Sequence, residues 1–172
     1  IQGEMLDLRT LFDKIIIDTY IFNDSVKHEM FCITEQLLLP DIFIGLHIRG
    51  GDKVLEDKMY NVDDYFSLLD NVNSIGLRDL FILTDDYSII KEARSKYPDY
   101  NIFTLCEENE RGYDNNQFVN SDKMYIKARL INLFVSIELL IKSKLFIGVH
   151  NSNPDIFIDL KRSSNSFFVD LV

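Results

Sequence analysis

Residues 42–53 read IFIGLHIRGGDK, and this stretch decides the fold. Its first part, Ile42 to Ile48, is an almost unbroken apolar run, which is typical of a short strand buried on both faces of a parallel sheet. Its second part turns abruptly polar around a pair of glycines. A buried strand that ends in glycines and charged residues is where an open α/β sheet places its ligand site. The stretch therefore predicts a central strand followed by a binding loop.

The polar half of this stretch suits a diphosphate. Gly50 and Gly51 let backbone N–H groups approach an anion closely. The guanidinium of Arg49 presents a planar fork of donors that matches phosphate oxygens. The alternative is an ordinary strand-to-loop turn with a surface Arg–Asp pair, since glycine and aspartate are common turn formers. His47 is equally consistent with a core histidine whose hydrogen bonds are satisfied inside the protein.

The composition limits the classes of partner. The chain has 172 residues and a formal net charge of −10, which predicts one domain and argues against nucleic acid or an anionic membrane surface as partner. No apolar run is long enough to predict a membrane span. Cys32 and Cys106 lie outside metal-type or redox spacings, so both are predicted to be buried thiols without a disulfide. A small anionic ligand remains compatible where positive charge is concentrated locally.

Strands and helices alternate four times after residue 41. This alternation predicts an α/β fold with a Rossmann-like, doubly wound parallel sheet and right-handed crossovers. We divide the chain into a helical N-terminal segment, residues 1–40, and a Rossmann-like binding domain, residues 41–172. A break near Asp24 or Ser25, either of which could cap a second helix, divides the first segment. The predicted strands are 42–48, 80–83, 102–105, 145–149 and 167–171, and residues 107–122 are predicted to be a solvated loop.

Three polar loops follow the predicted strands. The carboxyl ends of parallel strands point the same way, so the loops that follow them converge. Residues 47–53 bring positive charge, residues 84–86 (Thr-Asp-Asp) bring carboxylates, and residues 150–153 (His-Asn-Ser-Asn) bring imidazole, amide and hydroxyl groups. Helix N-termini after the second and third loops add partial positive charge. Together these groups predict a nucleotide diphosphate, with Arg49 on the phosphates and a carboxylate on the base or ribose.

Other roles are open for the same residues. The acidic pair Asp85 and Asp86 could serve as a helix cap and first-turn acids, a role compatible with ligand binding. The pair could also bind Mg²⁺, but no third carboxylate lies nearby in sequence. His150 and Ser152 could be turn and cap groups only. The chain lacks a Gly-x-Ser-x-Gly elbow, a Walker loop and a Gly-x-Gly-x-x-Gly motif, which disfavours hydrolase, NTPase and dinucleotide functions.

The motif at residues 47–52, His-Ile-Arg-Gly-Gly-Asp, resembles the His-x-Arg-Arg-x-Asp motif of the fucosyltransferases. The resemblance is greatest to the α1,6-fucosyltransferases and the related nodulation and protein O-fucosyltransferases. Residues 81–93, FILTDDYSIIKEA, resemble a second segment of the α1,6 branch, and residues 143–152 resemble a third one. The similarity covers roughly Ile42 to Leu160. The first two segments together are fairly specific, whereas the third is weak alone. The resemblance implies the donor-binding C-terminal lobe of a GT-B glycosyltransferase.

The resemblance also implies a function: transfer of fucose from GDP-fucose to a hydroxyl of a glycan or glycoprotein, with inversion and without a metal or other cofactor. Arg49 would bind the β-phosphate and stabilise the leaving GDP. Glu56 would be the general base on the acceptor hydroxyl, with Lys53 beside it. Taken by itself, Glu56 is an ordinary solvated loop acid. The implied donor-binding set is His47, Arg49, Gly50, Gly51, Asp52, Asp85, Asp86, His150 and Ser152.

The chain departs from the family pattern at two positions. The second arginine of the motif is Gly50 here, and the aspartate of the long helix is Ser136. About 40 residues precede the motif, where full enzymes have an acceptor-side lobe. The alternatives are therefore a non-catalytic lobe that binds a nucleotide sugar or glycan, or a transferase for another sugar nucleotide. The sequence leaves the compartment open between cytoplasm and Golgi lumen, and it leaves a homo-oligomer open.

Overall fold

The computed structural model describes residues 8–50 and 60–172. Its centre is one parallel sheet whose strands lie in the order β3-β2-β1-β4-β5. The strands are β1 (Ile44–His47), β2 (Asp79–Leu83), β3 (Asn101–Phe103), β4 (Leu145–Gly148) and β5 (Ser166–Phe168). The prediction of a Rossmann-like, doubly wound α/β fold is confirmed. The short central strand β1 has β2 on one side and β4 on the other, so the polar loop after it lies in the middle of one sheet edge.

Helices cover both faces of the sheet. They are α1 (Leu8–Thr19), α2 (Asp24–Gln36), α3 (Val62–Val72), α4 (Tyr87–Lys96), α5 (Asn115–Val119), α6 (Lys123–Lys142) and α7 (Asn153–Lys161). On one face α3 and α4 pack against Ile44, Leu46 and Ile147, and on the other α2, α6 and α7 pack against Phe81 and Phe146. Because both faces are buried, the strands are apolar throughout rather than alternating.

The long helix α6 lies against the middle of the sheet. A Cβ at Gly45 of β1 would come within 2.6 Å of Cδ2 of Leu140 and 2.8 Å of Oγ of Ser143. Helix and strand therefore approach as closely as they do only because position 45 has no side chain. Helix α6 also contacts α2 and α7, because it is apolar on several faces and therefore packs on several sides.

A buried arginine closes the carboxyl end of α6. Arg162 is 4% exposed, and its guanidinium donates to the carbonyl oxygens of Leu140, Ile141 and Ser143. These carbonyls have no partner within the helix, so the arginine supplies their missing donors. Burial lowers the pKa of Arg162 to about 10, which leaves it charged at neutral pH. Nothing in the local sequence indicates this role for Arg162.

Several local predictions need correction. Helix α2 is capped by Asn23, not by Asp24 or Ser25, because Asn23 has an extended backbone and its side chain accepts from the N–H of Val26 at 2.9 Å. The last strand ends at Phe168, and residues 169–171 form a 3-10 turn. There the carboxylate of Asp170 accepts from the N–H of His150 at 2.7 Å, which ties this turn to the loop after β4.

The segment 107–122 is more than a solvated loop, because it contains the short helix α5. Cys32 and Cys106 are free, as predicted, but they are only partly buried. Met30 of α2 belongs to the core beneath α6, so α2 is packed onto the sheet domain. The division at residue 41 stays a prediction. None of the helices in the described ranges is both long and apolar enough to cross a membrane.

Candidate functional site

A cavity of about 340 Å³ opens at the carboxyl edge of the sheet, where β1 and β2 end. Its size falls within the range typical of small-molecule sites. The groups that line it come from strand ends, loops and helices that are far apart in sequence. Among them are His47, Arg49, Thr84, Asp85, Ser136 and Pro154. The loops after β1 and β2 and the start of α7 thus meet at one cavity, as the parallel sheet predicts.

His47 forms the inner wall of this cavity through a buried ion pair. Its Nδ1 donates to the carboxylate of Asp155 in the first turn of α7, and Asp155 is 1% exposed. The other oxygen of Asp155 accepts from the N–H of Val149 at 2.7 Å. Burial works against a charge on His47, but Asp155 outweighs it through its charge and hydrogen bond, and the pKa of His47 is raised. Asp155 therefore joins the ends of β1 and β4 and favours an imidazolium.

Asp155 could not be identified from the sequence. A carboxylate in the first turn of a helix is an ordinary stabilising feature, so nothing local marked it. The pair spans 108 positions of the chain, and only the adjacency of β1 and β4 brings the two groups together. The alternative that His47 is a satisfied core histidine is partly correct, since Nδ1 is satisfied, yet the ring also lines the cavity.

Asp85 lines the cavity and accepts hydrogen bonds from the loop after β1 and from the segment 107–122. One oxygen accepts from the N–H of Gly50 at 2.8 Å, and the other accepts from the N–H of Tyr113 at 3.0 Å. Its own carbonyl accepts from the N–H of Gly112 at 2.9 Å. The carboxylate therefore positions the loop that carries Arg49. A contact of Asp85 with a nucleotide stays a prediction.

Asp86 acts as the cap of α4. Its carboxylate accepts from the N–H of Ser88 at 2.8 Å, which is the capping role that the sequence analysis left open for this pair. A Cβ added at Gly50 would come within 2.7 Å of Cβ of Asp86. The loop after β1 therefore presses directly on this turn, and the glycine at position 50 permits the close approach.

The loop after β4 contributes less of the cavity wall than expected. The hydroxyl of Ser152 is buried and has no hydrogen-bond partner among the described residues. Ser152 takes the cap position of α7 without a side-chain cap bond. His150 is exposed, and its ring lies edge-on to Phe168 at 5.3 Å between centroids. Neither side chain lines the cavity, so their part in ligand binding stays a prediction.

A second ion pair also lines the cavity, and no local pattern in the sequence marked it. The guanidinium of Arg129 on α6 donates two hydrogen bonds, in a bidentate arrangement, to the carboxylate of Glu110, whose side chain is 8% exposed. The backbone carbonyl of Glu110 accepts from the N–H of Tyr87 at 3.1 Å. This pair anchors the segment 107–122 to α6 and α4. Burial, then the nearby Glu110, raises the pKa of Cys106 to about 12, so this thiol stays protonated.

The comparison with known protein families decides the relationship. Residues 15–152 match the family described as alpha-(1,6)-fucosyltransferase N- and catalytic domains, which is most of the chain. The chain belongs to this α1,6-fucosyltransferase family. An alpha-(1,6)-fucosyltransferase of Drosophila melanogaster is 39% identical over a match that covers 34% of this chain and 11% of the relative. The family resemblance seen in the sequence is therefore confirmed.

Solved structures support the same fold. The NodZ alpha-1,6-fucosyltransferase soaked with GDP-fucose aligns with a TM-score of 0.53 at 14% identity, over 81% of this chain and 42% of that one. POFUT1 in complex with GDP-fucose aligns with a TM-score of 0.52 at 13% identity, over 86% and 46%. At these identities the likeness establishes the fold. The chain spans less than half the length of either structure and a small part of the fly relative.

Two departures of this family member can now be located. Ser136 is 2% exposed, lines the cavity, and its hydroxyl donates to the carbonyl oxygen of Asn132 at 2.8 Å. Gly50 lies at the crowded contact with the Asp86 turn. The predicted site residues Gly51, Asp52, Lys53 and Glu56 lie outside the described residues, so their roles stay predictions. In residues 8–50 and 60–172, no cluster of three or more His, Cys, Asp or Glu side chains could hold a metal ion.

Proposed function

We propose that this α1,6-fucosyltransferase family chain binds GDP-fucose and forms the donor lobe of a fucosyltransferase. The observation that carries the proposal is the cavity that joins Arg49 and His47 at the end of β1 with Asp85 after β2 and Ser136 on α6. Two cationic groups at a buried sheet edge suit a diphosphate. NodZ has been soaked with GDP-fucose and POFUT1 forms a complex with GDP-fucose, which supports the same donor here.

The reaction follows from the chemistry of the donor. The acceptor hydroxyl oxygen forms a bond to the anomeric carbon of fucose, and the bond from that carbon to the β-phosphate oxygen breaks. GDP leaves with the electron pair, and the hydroxyl proton passes to the carboxylate of Glu56. Attack from the face opposite GDP inverts the anomeric carbon. The acceptor is a hydroxyl of a glycan or glycoprotein.

Charge on the leaving group grows in the transition state, so it needs cations placed in advance. In this proposal Arg49 supplies a guanidinium to the phosphates, His47 supplies an imidazolium, and Lys53 supplies an ammonium group. These side chains take the role that a divalent cation plays in other nucleotide-sugar enzymes. We therefore propose transfer without a metal, and we expect activity to be unchanged by EDTA. Loss of activity in EDTA, with recovery on adding Mg²⁺ or Mn²⁺, would reject metal independence.

Donor binding can be tested by thermal unfolding with a panel of nucleotides. GDP and GDP-fucose should raise the melting temperature, whereas UDP and ADP should not. Arg49→Ala should abolish the shift because the phosphates lose their guanidinium. Arg78→Ala, at an exposed arginine stacked on Tyr100, is the matched control and should leave the shift intact. A wild-type protein that no guanine nucleotide stabilises would refute the donor site.

The general base is tested separately from binding. Glu56→Gln should keep the melting shift with GDP-fucose but lose transfer to the acceptor. The loss of transfer is expected because an amide does not take up the proton of the acceptor hydroxyl. Transfer that survives this substitution would exclude Glu56 as the base.

A second candidate is a transferase for another sugar nucleotide. It is favoured by Ser136, because a hydroxyl in the cavity wall stands where the α1,6 enzymes have a carboxylate. The nucleotide panel decides between them, since a melting shift with UDP- or ADP-sugars that exceeds the shift with GDP-fucose would support this second function.

A further inference from the structure

Asp155, the partner of His47, is held in an arrangement that donor binding alone does not explain. Asp155 is 1% exposed and contacts His47 and follows Pro154, two residues that line the cavity, but it does not itself line the cavity. A Cβ at Gly148 would come within 2.7 Å of its Oδ2. The end of β4 therefore has no side chain at the place where this carboxylate lies. Both carboxylate oxygens are used, one by Nδ1 of His47 and one by the N–H of Val149.

This arrangement sets the orientation of the imidazole. An ionised carboxylate only accepts hydrogen bonds, and one oxygen of Asp155 already accepts the N–H of Val149. Nδ1 of His47 therefore carries a proton, which it donates to the other oxygen. Among the described residues, Nε2 has no partner, while His47 lines the cavity. A histidine held at Nδ1 by a carboxylate presents Nε2 in a defined direction, as in metal and catalytic histidines.

We propose that Asp155 is a positioning residue: it holds His47 with Nε2–H available as a cationic donor to the diphosphate of a nucleotide sugar. The inference rests on the proposed function. It adds that donor binding depends on the charge of the buried pair His47 and Asp155. A donor diphosphate gains a charge-assisted hydrogen bond from His47 in addition to those of Arg49.

The charges that face His47 set the expected pH dependence. Burial works against its charge, Asp155 on α7 and Asp85 after β2 favour it, and Arg49 after β1 opposes it. The net effect raises its pKa, so the imidazolium is present at low pH and is lost as the pH rises through that raised value. Donor affinity should fall over the same interval. Removing Asp155 leaves burial as the dominant influence and moves the fall to lower pH.

The test measures GDP-fucose binding by calorimetry from pH 5.5 to 9. Both phosphates of this probe are diesters and do not titrate in that interval. Asp155→Asn should weaken binding at pH 7 by about tenfold, the loss of one charge-assisted hydrogen bond, and shift the pH profile to lower pH. Asp159→Asn, one turn further along α7, is the matched control and should keep the wild-type profile.

A double-variant cycle separates positioning from a structural effect. In a His47→Gln background, Asp155→Asn should cause no further shift of the profile, because the group through which it acts is absent. If Asp155→Asn alone leaves the wild-type profile unchanged, or shifts it equally in both backgrounds, the positioning role is wrong. If wild-type protein does not bind GDP-fucose at any pH, the proposed function fails instead.

If Asp155→Asn does not fold, a measurement on the wild-type protein still tests the inference. Nitrogen-15 spectra of its three histidines report the protonation of each ring, with the exposed His28 and His150 as internal references and His47→Gln for assignment. His47 should titrate at higher pH in the wild-type protein than an ordinary histidine, and at higher pH still when GDP-fucose is bound. A titration at or below the ordinary histidine value, or one that GDP-fucose does not move, would overturn the inference.

Discussion

Replacing Gly50 by alanine tests the geometry of the site directly. The added Cβ would come within 2.7 Å of Cβ of Asp86, whereas ordinary contacts begin at 3.4 Å, so the loop after β1 must retreat by 3.4 − 2.7, or 0.7 Å. That retreat lengthens the 2.8 Å bond from the N–H of Gly50 to Asp85. Overpacking of this kind costs about 2 kcal/mol in the free energy of unfolding. For a chain of this length that lowers the melting temperature by about 6 °C.

The same displacement should weaken donor binding, because Arg49 is the neighbouring residue. We expect GDP affinity measured by calorimetry to fall about tenfold, as misplacement by a fraction of an ångström does at oriented sites. Gly50→Arg, which restores the arginine pair of the family motif, introduces the same Cβ and should not bind GDP more tightly than wild type. This outcome would show that position 50 is constrained by packing and not by phosphate binding.

The matched control is Gly76→Ala, in the turn between α3 and β2. Gly76 has open space around it but a φ of +67°, so alanine there costs stability through backbone strain and leaves the site alone. Its GDP affinity should equal that of wild type. The reasoning is refuted if Gly50→Ala unfolds within about 0.5 kcal/mol of wild type and binds GDP normally.

Three further substitutions test other parts of the molecule. Arg162→Met should lower the free energy of unfolding in urea by about 4 kcal/mol, because the carbonyl groups at the end of α6 lose their hydrogen-bond donor. The control Lys144→Met, at an exposed lysine, should change this free energy by less than about 0.5 kcal/mol. Glu110→Gln should cost about 2 kcal/mol in the same assay, since it leaves the guanidinium of Arg129 without its carboxylate; an unchanged midpoint would mean that this ion pair does not anchor the segment 107–122. Ser136→Asp should increase the preference for GDP over ADP by about tenfold in calorimetry, because a carboxylate in the cavity accepts the guanine N–H donors; equal ratios would remove position 136 from base recognition.

Much of the fold could be predicted from local patterns. The apolar runs that became β1, β2 and β4 are buried on both faces, so their composition alone indicated a covered parallel sheet. Residues that favour turns mark element boundaries: Gly50 follows β1, Pro98 follows α4, and Pro154 lies in the first turn of α7. The errors concern short features. The cap at Asn23 and the turn after β5 depend on single hydrogen bonds that periodicity does not report. Helix α5 lies within a polar segment that was predicted to be a loop, and the two cysteines are only partly buried.

The candidate site was predictable in part. The charge and donor geometry of Arg49 and its place after an apolar strand indicated a diphosphate site, and the structure brings this residue to the same cavity as Asp85. The partners of these residues were not predictable. Asp155 had the local pattern of a helix first-turn acid, and Glu110 had that of one more solvated loop carboxylate, yet each is paired with a cation from a distant element.

The amino-acid sequence alone determined which segments are strands, where their polar loops begin, and to which family the motif around Arg49 belongs, because these features depend on residues adjacent along the chain. Only the tertiary structure decided that β1 lies between β2 and β4. That lateral order brings Asp155 to His47, places the hydroxyl of Ser152 in the interior, and leaves His150 outside the cavity wall. Side chains at the ends of strands acquire their partners from the neighbouring strand, and the order of strands is set by the packing of the whole sheet between its helices.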